Sequence, residues 1–371
     1  GRIPGIGGPA APFAKDTDSP AGDPVRVGPG WQNPPVPGPG MRNAPVPAVN
    51  DRTPGQGSPV PAVNFRAPGP NSPTLTADFR SLGQVERNAT MLLLRAMNTE
   101  RYGGLTLCGY RSIMDTGQDE QMAVVTFCLP DGTDYVAFRG TDTTIVGWKE
   151  DFMLSYRRET EGQRHAAAYL DERAAARTGY FYVGGHSKGG NFALYAGAFS
   201  APEVQDRILA VFSNDGPGLR EEATREAGFL RILPRVVRII PEDSVVGILL
   251  SNPAGCRVVK SAERGLLQHR GTSWLVRGTH FQYGARSGFS RAFENVIRRW
   301  LSELSEEELK DFTEYAFTVL ELTGATTVTE IRRDLFGAAM AVFSAADRIP
   351  KDKQARFFGM IQQLLRIVLQ G

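Results

Sequence analysis

The stretch "GGHSKGG", residues 184–190, lies between an apolar run at 180–183 and the helix-like run "NFALYA" at 191–196. A short apolar run that ends in glycines is typical of a buried strand followed by a tight turn. The pattern therefore predicts a strand–turn–helix unit. Ser187 lies at its tip, either in a glycine turn that packs the helix tightly on the sheet or in a position exposed for chemistry.

Strand-like and helix-like patterns alternate on both sides of this turn. Apolar runs of strand length occur at 122–127, 135–138, 180–183, 208–212, 236–240 and 257–259. Helix-like segments occur at 148–156, 165–177, 188–199 and 219–230. Strands separated by helices predict an α/β fold with a mainly parallel sheet and helices on both of its faces.

The two ends of the chain differ from this central domain, which we place at 77–286. Residues 1–76 form a Pro/Gly-rich arm with 18 of the 25 prolines, and "PVPAVN" occurs in it at both 45–50 and 59–64. Such an arm is an extended linker or docks on a protein partner or on its own domain. A helix is predicted at 77–97. Residues 287–371 have a helical pattern, with an N-cap at Ser305, and we expect them to pack on the central domain or on another subunit.

Composition excludes several classes of function. The net charge is +2, from 42 basic and 40 acidic residues, and no basic run of the kind that binds nucleic acid occurs. Three widely spaced cysteines, Cys108, Cys128 and Cys256, predict neither a disulfide framework nor a metal site, and they favour a reducing compartment. No apolar run approaches the ~20 residues needed to cross a bilayer. We expect a cytoplasmic protein, or one delivered by a non-classical route if the chain, which begins at Gly1, is a piece of a longer one.

The segment 185–189 matches the GxSxG pattern of a nucleophile elbow, and it follows a predicted strand and precedes a predicted helix, as that motif requires. Glycines avoid collisions where strand and helix meet. The turn would aim the Ser187 hydroxyl outward. It would also place the backbone N–H of Lys188 at the positive end of a helix, where it can stabilise an oxyanion.

A serine nucleophile needs a base, and the chain has four histidines. His186 adjoins the serine, so we expect its ring to point away and to serve in packing or hydrogen bonding, and His165 lies in a polar segment that predicts a solvated surface. His269 and His280 follow the serine in the order nucleophile, acid, base. We favour His269, in a loop after the last strand, and keep His280 as the alternative.

The acid should follow a strand between the serine and the base. Asp243 follows the predicted strand at 236–240, and we favour it over its rival Asp215, which also ends a strand but in a position more typical of a structural turn. The second oxyanion donor should come from the loop after the strand at 135–138. Thr141 could donate its backbone N–H there, and Gly140 would allow a close approach; the alternative is a simple strand–helix turn.

Two stretches together are similar to a known group. "VAFRGTD" at 136–142 and "GGHSKGGNFALYA" at 184–196 resemble the class 3 lipase group of α/β-hydrolases, especially an uncharacterised bacterial lipase-like family that carries GGHSKGGN. The resemblance extends from about residue 77 to 324 and also includes "GWKEDF", "DGPG", "PEDSVVG" and "QH…SW". It implies that Ser187 is the nucleophile, Asp243 the acid, His269 the base, and Thr141 and Lys188 the oxyanion donors.

The expected function is hydrolysis of a carboxylic ester, including a lipid or phospholipid, without a metal or organic cofactor. Lys188 departs from the small or apolar residue usual after the nucleophile, and we expect it to put a cation at the mouth of the site. The alternative function is a non-catalytic scaffold of the same fold that assembles through its N-terminal arm. A secreted phospholipase joined by the arm to a delivery domain is a third possibility.

Overall fold

A computed structural model describes residues 63–64, 84–327, 330 and 350–370. Ten strands are described: β1 (Val63–Asn64), β2 (Thr106–Asp115), β3 (Glu120–Cys128), β4 (Asp134–Phe138), β5 (Phe181–His186), β6 (Ile208–Asn214), β7 (Val236–Pro241), β8 (Cys256–Val259), β9 (Val276–Arg277) and β10 (His280–Phe281). The helices are α1 (Gln84–Met97), α2 (Ile145–Met153), α3 (Glu161–Ala176), α4 (Lys188–Phe199), α5 (Pro202–Gln205), α6 (Glu221–Thr224), α7 (Ala227–Ile232), α8 (Gly288–Ser302), α9 (Glu306–Glu321) and α10 (Lys351–Gln370).

The first eight strands form one sheet in which the spatial order is the order of the chain, β1 to β8. Strands β4 to β8 pair in parallel, whereas β1 to β4 pair antiparallel. The predicted α/β fold is therefore confirmed, and the sheet also has an antiparallel portion, β1 to β4, that the apolar runs do not predict. Strand β2 was missed because its polar and apolar residues, TLCGYRSIMD, lack a continuous apolar run.

The main core lies between the sheet and helices α3, α4 and α7, and α4 contacts both of the other two helices. Apolar side chains of β3 to β6 fill it together with α4, of which only the last residue, Phe199, is exposed. Helix α2 has the N-cap Thr144, and helix α3 begins with a capping box formed by Thr160 and Gln163. Both helices that follow β4 therefore have strong N-terminal signals in the sequence. The predicted helix at 219–230 is instead two short helices, α6 and α7.

The tail helices add two smaller cores. Trp300 of α8 packs with Met360 and Ile367 of α10, and Leu309 of α9 packs with Met153 and Tyr156 at the end of α2. The predicted N-cap Ser305 begins α9 with a capping box to Glu308. Among the described residues, no helix combines the length and apolarity needed to cross a membrane. The N-terminal arm, 1–76, lies outside the described residues except for Val63 and Asn64, and so do residues 77–83 of the predicted helix at 77–97.

Candidate active site

Ser187 lies at the tip of the turn between β5 and α4, with a φ of 58° that few residues other than glycine adopt. Its neighbours leave no room for side chains. A Cβ on Gly185 would lie 2.3 Å from the carbonyl group of Gly189, and one on Gly189 would lie 2.2 Å from the carbonyl oxygen of Phe138 in β4. The strained turn is therefore held by close backbone contacts, as the sequence pattern predicted for an elbow.

The imidazole of His269 connects Ser187 to a carboxylate. Its Nε2 lies 3.0 Å from Ser187 Oγ, and its Nδ1 lies 2.7 Å from Oδ2 of Asp215. Because the carboxylate can only accept, Nδ1 carries the proton, and in a neutral ring Nε2 is then free to accept the hydroxyl proton of Ser187. The arrangement can accept a proton from the serine and hold the resulting positive charge.

Asp215 occupies the position at which the sequence analysis placed Asp243, and the expected pairing of Asp243 with His269 is not observed. Asp215 directly follows β6, and the parallel register pairs His186 with Asn214, so the residues after them, Ser187 and Asp215, lie side by side. The carboxylate of Asp215 is fully buried, and its other oxygen accepts hydrogen bonds from Ser244 Oγ at 2.5 Å and from Gly247 N at 3.1 Å. These bonds fix its orientation toward the imidazole.

Asp243 instead holds the loop that carries the histidine. Its Oδ2 accepts hydrogen bonds from Gly265 N at 2.8 Å and from Gln268 Nε2 at 3.1 Å, and its own N–H donates to Gln268 Oε1 at 2.8 Å. Gln268 is buried and directly precedes His269 in a 3₁₀ turn. Asp243 thus bonds to the residue before His269, and it supports the loop rather than the imidazole of His269.

His186 contacts His269, whereas its ring was expected to point away from the nucleophile's side of the turn. Its Nε2 lies 2.6 Å from the carbonyl oxygen of His269, and the two ring centroids are 4.6 Å apart. Burial, and next the positive charge that His269 can carry, lower the pKa of His186 to about 4. The ring is therefore neutral near pH 7 and donates its Nε2–H to that carbonyl. The predicted hydrogen-bonding role is observed, on an unforeseen partner.

The two other histidines lie elsewhere. His280, the alternative base, is exposed in β10. His165 is not the solvated residue that we expected, since its Nδ1 lies 2.6 Å from Oε1 of Glu120, a buried carboxylate whose pKa is raised by burial. Among the described residues, neither histidine hydrogen-bonds to the side chain of Ser187 or of Asp215.

The loop after β4 presses on the serine turn. A Cβ on Gly140 would lie 2.6 Å from the carbonyl oxygen of His186 and 3.0 Å from Ser187 Cβ, so only glycine permits this approach. The next residue, Thr141, donates its hydroxyl to Asp151 Oδ2 at 2.5 Å. Burial raises the pKa of Asp151 to about 6, against the lowering effects of Lys188 and of this hydrogen bond. The loop with Thr141 is thereby anchored next to the turn.

Lys188 is the first residue of α4, where backbone N–H groups have no partner within the helix. The expected position of its side chain, with the cation at the mouth of the site, is not observed. It is fully buried, and its Nζ donates to Glu150 Oε2 at 2.8 Å and to the carbonyl oxygen of Gly147 at 3.2 Å. The cation therefore joins the serine turn to α2.

This site combines a serine at a strand–helix turn, a histidine hydrogen-bonded to it and a buried carboxylate, all on an α/β sheet. A family model described as Mbeg1-like matches residues 96–318, which include the whole site and most of the described elements. The chain therefore belongs to the Mbeg1-like family.

Comparison with solved structures found lipases of low similarity among the matches. The M37 lipase is 15% identical, with 46% of this chain and 65% of that chain covered and a TM-score of 0.30. The native Rhizomucor miehei lipase propeptide complex is 16% identical, with 47% and 63% covered and a TM-score of 0.30. The match thus spans less than two thirds of either lipase. No curated protein matches the chain.

Proposed function

We propose that the protein is a serine hydrolase of the α/β-hydrolase fold that cleaves carboxylic esters through an acyl-enzyme intermediate. The observation that carries the proposal is the hydrogen-bonded series from Ser187 through His269 to Asp215, with distances of 3.0 and 2.7 Å. A buried carboxylate, a correctly protonated imidazole and a hydroxyl in this order are the requirements for nucleophilic catalysis by serine.

In the first step, Ser187 Oγ attacks the ester carbonyl carbon while His269 Nε2 takes the hydroxyl proton. The carbonyl electron pair moves to oxygen, and the backbone N–H groups of Thr141 and Lys188 donate to this oxyanion. Asp215 stabilises the imidazolium through Nδ1–H. His269 then gives its proton to the leaving alcohol, and the acyl group stays on the serine.

In the second step, water attacks the acyl-enzyme. His269 takes a proton from that water, and the tetrahedral intermediate collapses to release the carboxylic acid and return the proton to Ser187. Asp243 acts here as a positioning residue, because its bonds to Gly265 and Gln268 set the path of the loop that ends at His269.

Exposed apolar side chains on the same elements support an ester with an apolar acyl group. Leu266 and Leu267, which are 62% and 46% exposed, lie in the 3₁₀ turn that leads to His269. Trp148, 45% exposed, lies on α2, which follows the loop of Thr141. Because Lys188 is buried, its charge gives no reason to prefer an anionic substrate. A lipase-like or esterase-like activity on neutral or phospholipid esters fits these surroundings. Such an activity also agrees with the resemblance of GGHSKGGN to a bacterial lipase-like family.

A fluorophosphonate probe tests the nucleophile directly. We expect the wild type to be labelled, Ser187→Ala to be unlabelled, and His269→Ala to be labelled at least ~100-fold more slowly, because the base is lost. His280→Ala, which changes the other candidate base, is the matched control and should label like the wild type. A series of p-nitrophenyl esters then measures acyl-chain preference. Absence of labelling and turnover in a folded wild type, with lipid or detergent present, would overturn the proposal in favour of a scaffold.

A further inference from the structure

Two cysteines outside the serine site lie against each other in the antiparallel part of the sheet. Cys108 of β2 is paired in register with Thr126 of β3, and Cys128 of β3 with Thr106 of β2, so the two cysteines are diagonal neighbours. Their Sγ atoms are 2.7 Å apart, and both residues are half-buried. The third cysteine, Cys256, lies in β8 at the far edge of the sheet.

The charged groups around the pair make the two sulfurs unequal. A guanidinium nitrogen of Arg173 lies 3.2 Å from Cys108 Sγ, and Arg173 and Arg177 also bond to the buried carboxylate of Asp134. The hydrogen bond from Cys128 is the largest cause that lowers the pKa of Cys108 to about 7, helped by both arginines and opposed by burial and Asp134. The same hydrogen bond, followed by burial, raises the pKa of Cys128.

We propose that Cys108 and Cys128 are a redox modification site, at which a low-molecular-weight disulfide converts the two thiols into an intramolecular disulfide. The Cys108 thiolate attacks one sulfur of the reagent and expels a thiolate, which leaves a mixed disulfide on Cys108. Cys128 loses its proton to the expelled thiolate, and its own thiolate attacks Cys108 Sγ, breaks the mixed disulfide and expels the second thiolate, which takes up a proton from water. Two protein thiols are oxidised while one reagent disulfide is reduced to two thiols.

This assignment rests on the geometry of β2, β3 and α3 and does not depend on the proposed hydrolase activity. Cys108 is the attacking residue because the arginines and the hydrogen bond favour its thiolate, the form that reacts. Cys128 is the resolving residue because it is already in contact. The product would link adjacent strands whose pairing is already formed and whose two sulfurs are already 2.7 Å apart.

Glutathione disulfide added to the folded full chain is the probe, with free thiols counted and the linked peptides identified by mass spectrometry. We expect the count to fall from the three cysteines of the sequence to one, through a Cys108–Cys128 link. Cys128→Ser should stop at a stable mixed disulfide on Cys108. Cys108→Ser should react at least ~10-fold more slowly, because burial and the charge of Asp134 still raise the pKa of Cys128 and keep its thiol protonated.

Cys256→Ser is the matched control and should lose both remaining thiols at the wild-type rate. Circular dichroism establishes that each variant is folded. The proposal is overturned if the wild type keeps three free thiols, if glutathione accumulates on Cys108 of the wild type without forming the link, or if the link appears only after denaturation.

Discussion

Replacing Lys188 by methionine tests how the serine turn is attached to α2. The substitution keeps an unbranched side chain of similar length beside Phe192, whose ring centroid lies 5.6 Å from the ammonium, but it removes the cation. Glu150 then remains fully buried without a counter-charge. Its carboxylate still accepts from three neutral donors: the N–H groups of Gln121 and Gly162 and the hydroxyl of Thr160, at 3.0 to 3.1 Å.

The expected loss follows from the burial of both partners. Leaving one member of a buried ion pair without the other costs about 3–5 kcal/mol, which is a large part of a typical stability of about 5–15 kcal/mol. The midpoint of thermal unfolding should fall by about 10 °C.

Urea unfolding of the wild type, Lys188→Met, Glu150→Gln and the double variant measures the coupling. We expect the double variant to recover most of the loss of Lys188→Met, because glutamine is neutral and keeps an oxygen acceptor; the coupling should be about 3 kcal/mol. Lys149→Met, at a part-exposed lysine next to Glu150, is the control and should change stability by less than about 1 kcal/mol. A loss below about 1 kcal/mol for Lys188→Met would refute the reasoning. So would a double variant that is no more stable than Lys188→Met.

Three further outcomes are expected. Asp215→Asn should lower kcat about 1,000-fold or more in ester hydrolysis, because Asp215 bonds the imidazole of His269. Asp243→Asn should lower it only about tenfold, because Asp243 bonds the loop that carries His269. Equal losses for the two variants would contradict this division of roles. Gly189→Ala should unfold at a urea concentration corresponding to a loss of at least about 2 kcal/mol, because its methyl would collide with the carbonyl of Phe138; an unchanged midpoint would refute the close contact. His186 has its pKa lowered to about 4, so wild-type stability should fall by up to about 3 kcal/mol as pH drops from about 6.5 to 4, where only the unfolded chain takes up the proton. His186→Gln should flatten that part of the curve, and a curve of unchanged slope would argue against a buried neutral ring.

The elements that could be predicted from the sequence are those with strong local signals. The boundaries of α4 follow directly from the glycines and the apolar run, and the observed helix, Lys188–Phe199, matches the prediction. The bond between His269 and Ser187 was anticipated from chain order and loop position. Glycines at 185 and 189 are needed for steric reasons that act within a few residues, so the local sequence carries the information.

The errors concern contacts between segments distant in the chain. Asp215 and Asp243 both end strands, and only the register of β6 on β5 places the first beside Ser187. The burial of Lys188 depends on Glu150, which is 38 residues away on another helix. No local sequence pattern predicts this ion pair, because Lys188 meets Glu150 only when α2 packs on the serine turn. Cys108 and Cys128 likewise meet through the alignment of two strands, one of which has no apolar pattern.

The sequential order of the strands also bears on when the proposed active site can first assemble during synthesis of the chain. Each strand of β1 to β8 pairs with one already made, so the sheet can grow as the chain leaves the ribosome. His269 lies 82 residues after Ser187 and beyond the last strand of the sheet. At about 5–20 residues per second, Ser187 is made roughly ten seconds before its base. A chain that has not yet been extended to His269 carries the strained serine turn without its imidazole partner, so the proposed activity has to wait until all eight strands of the sheet have been made.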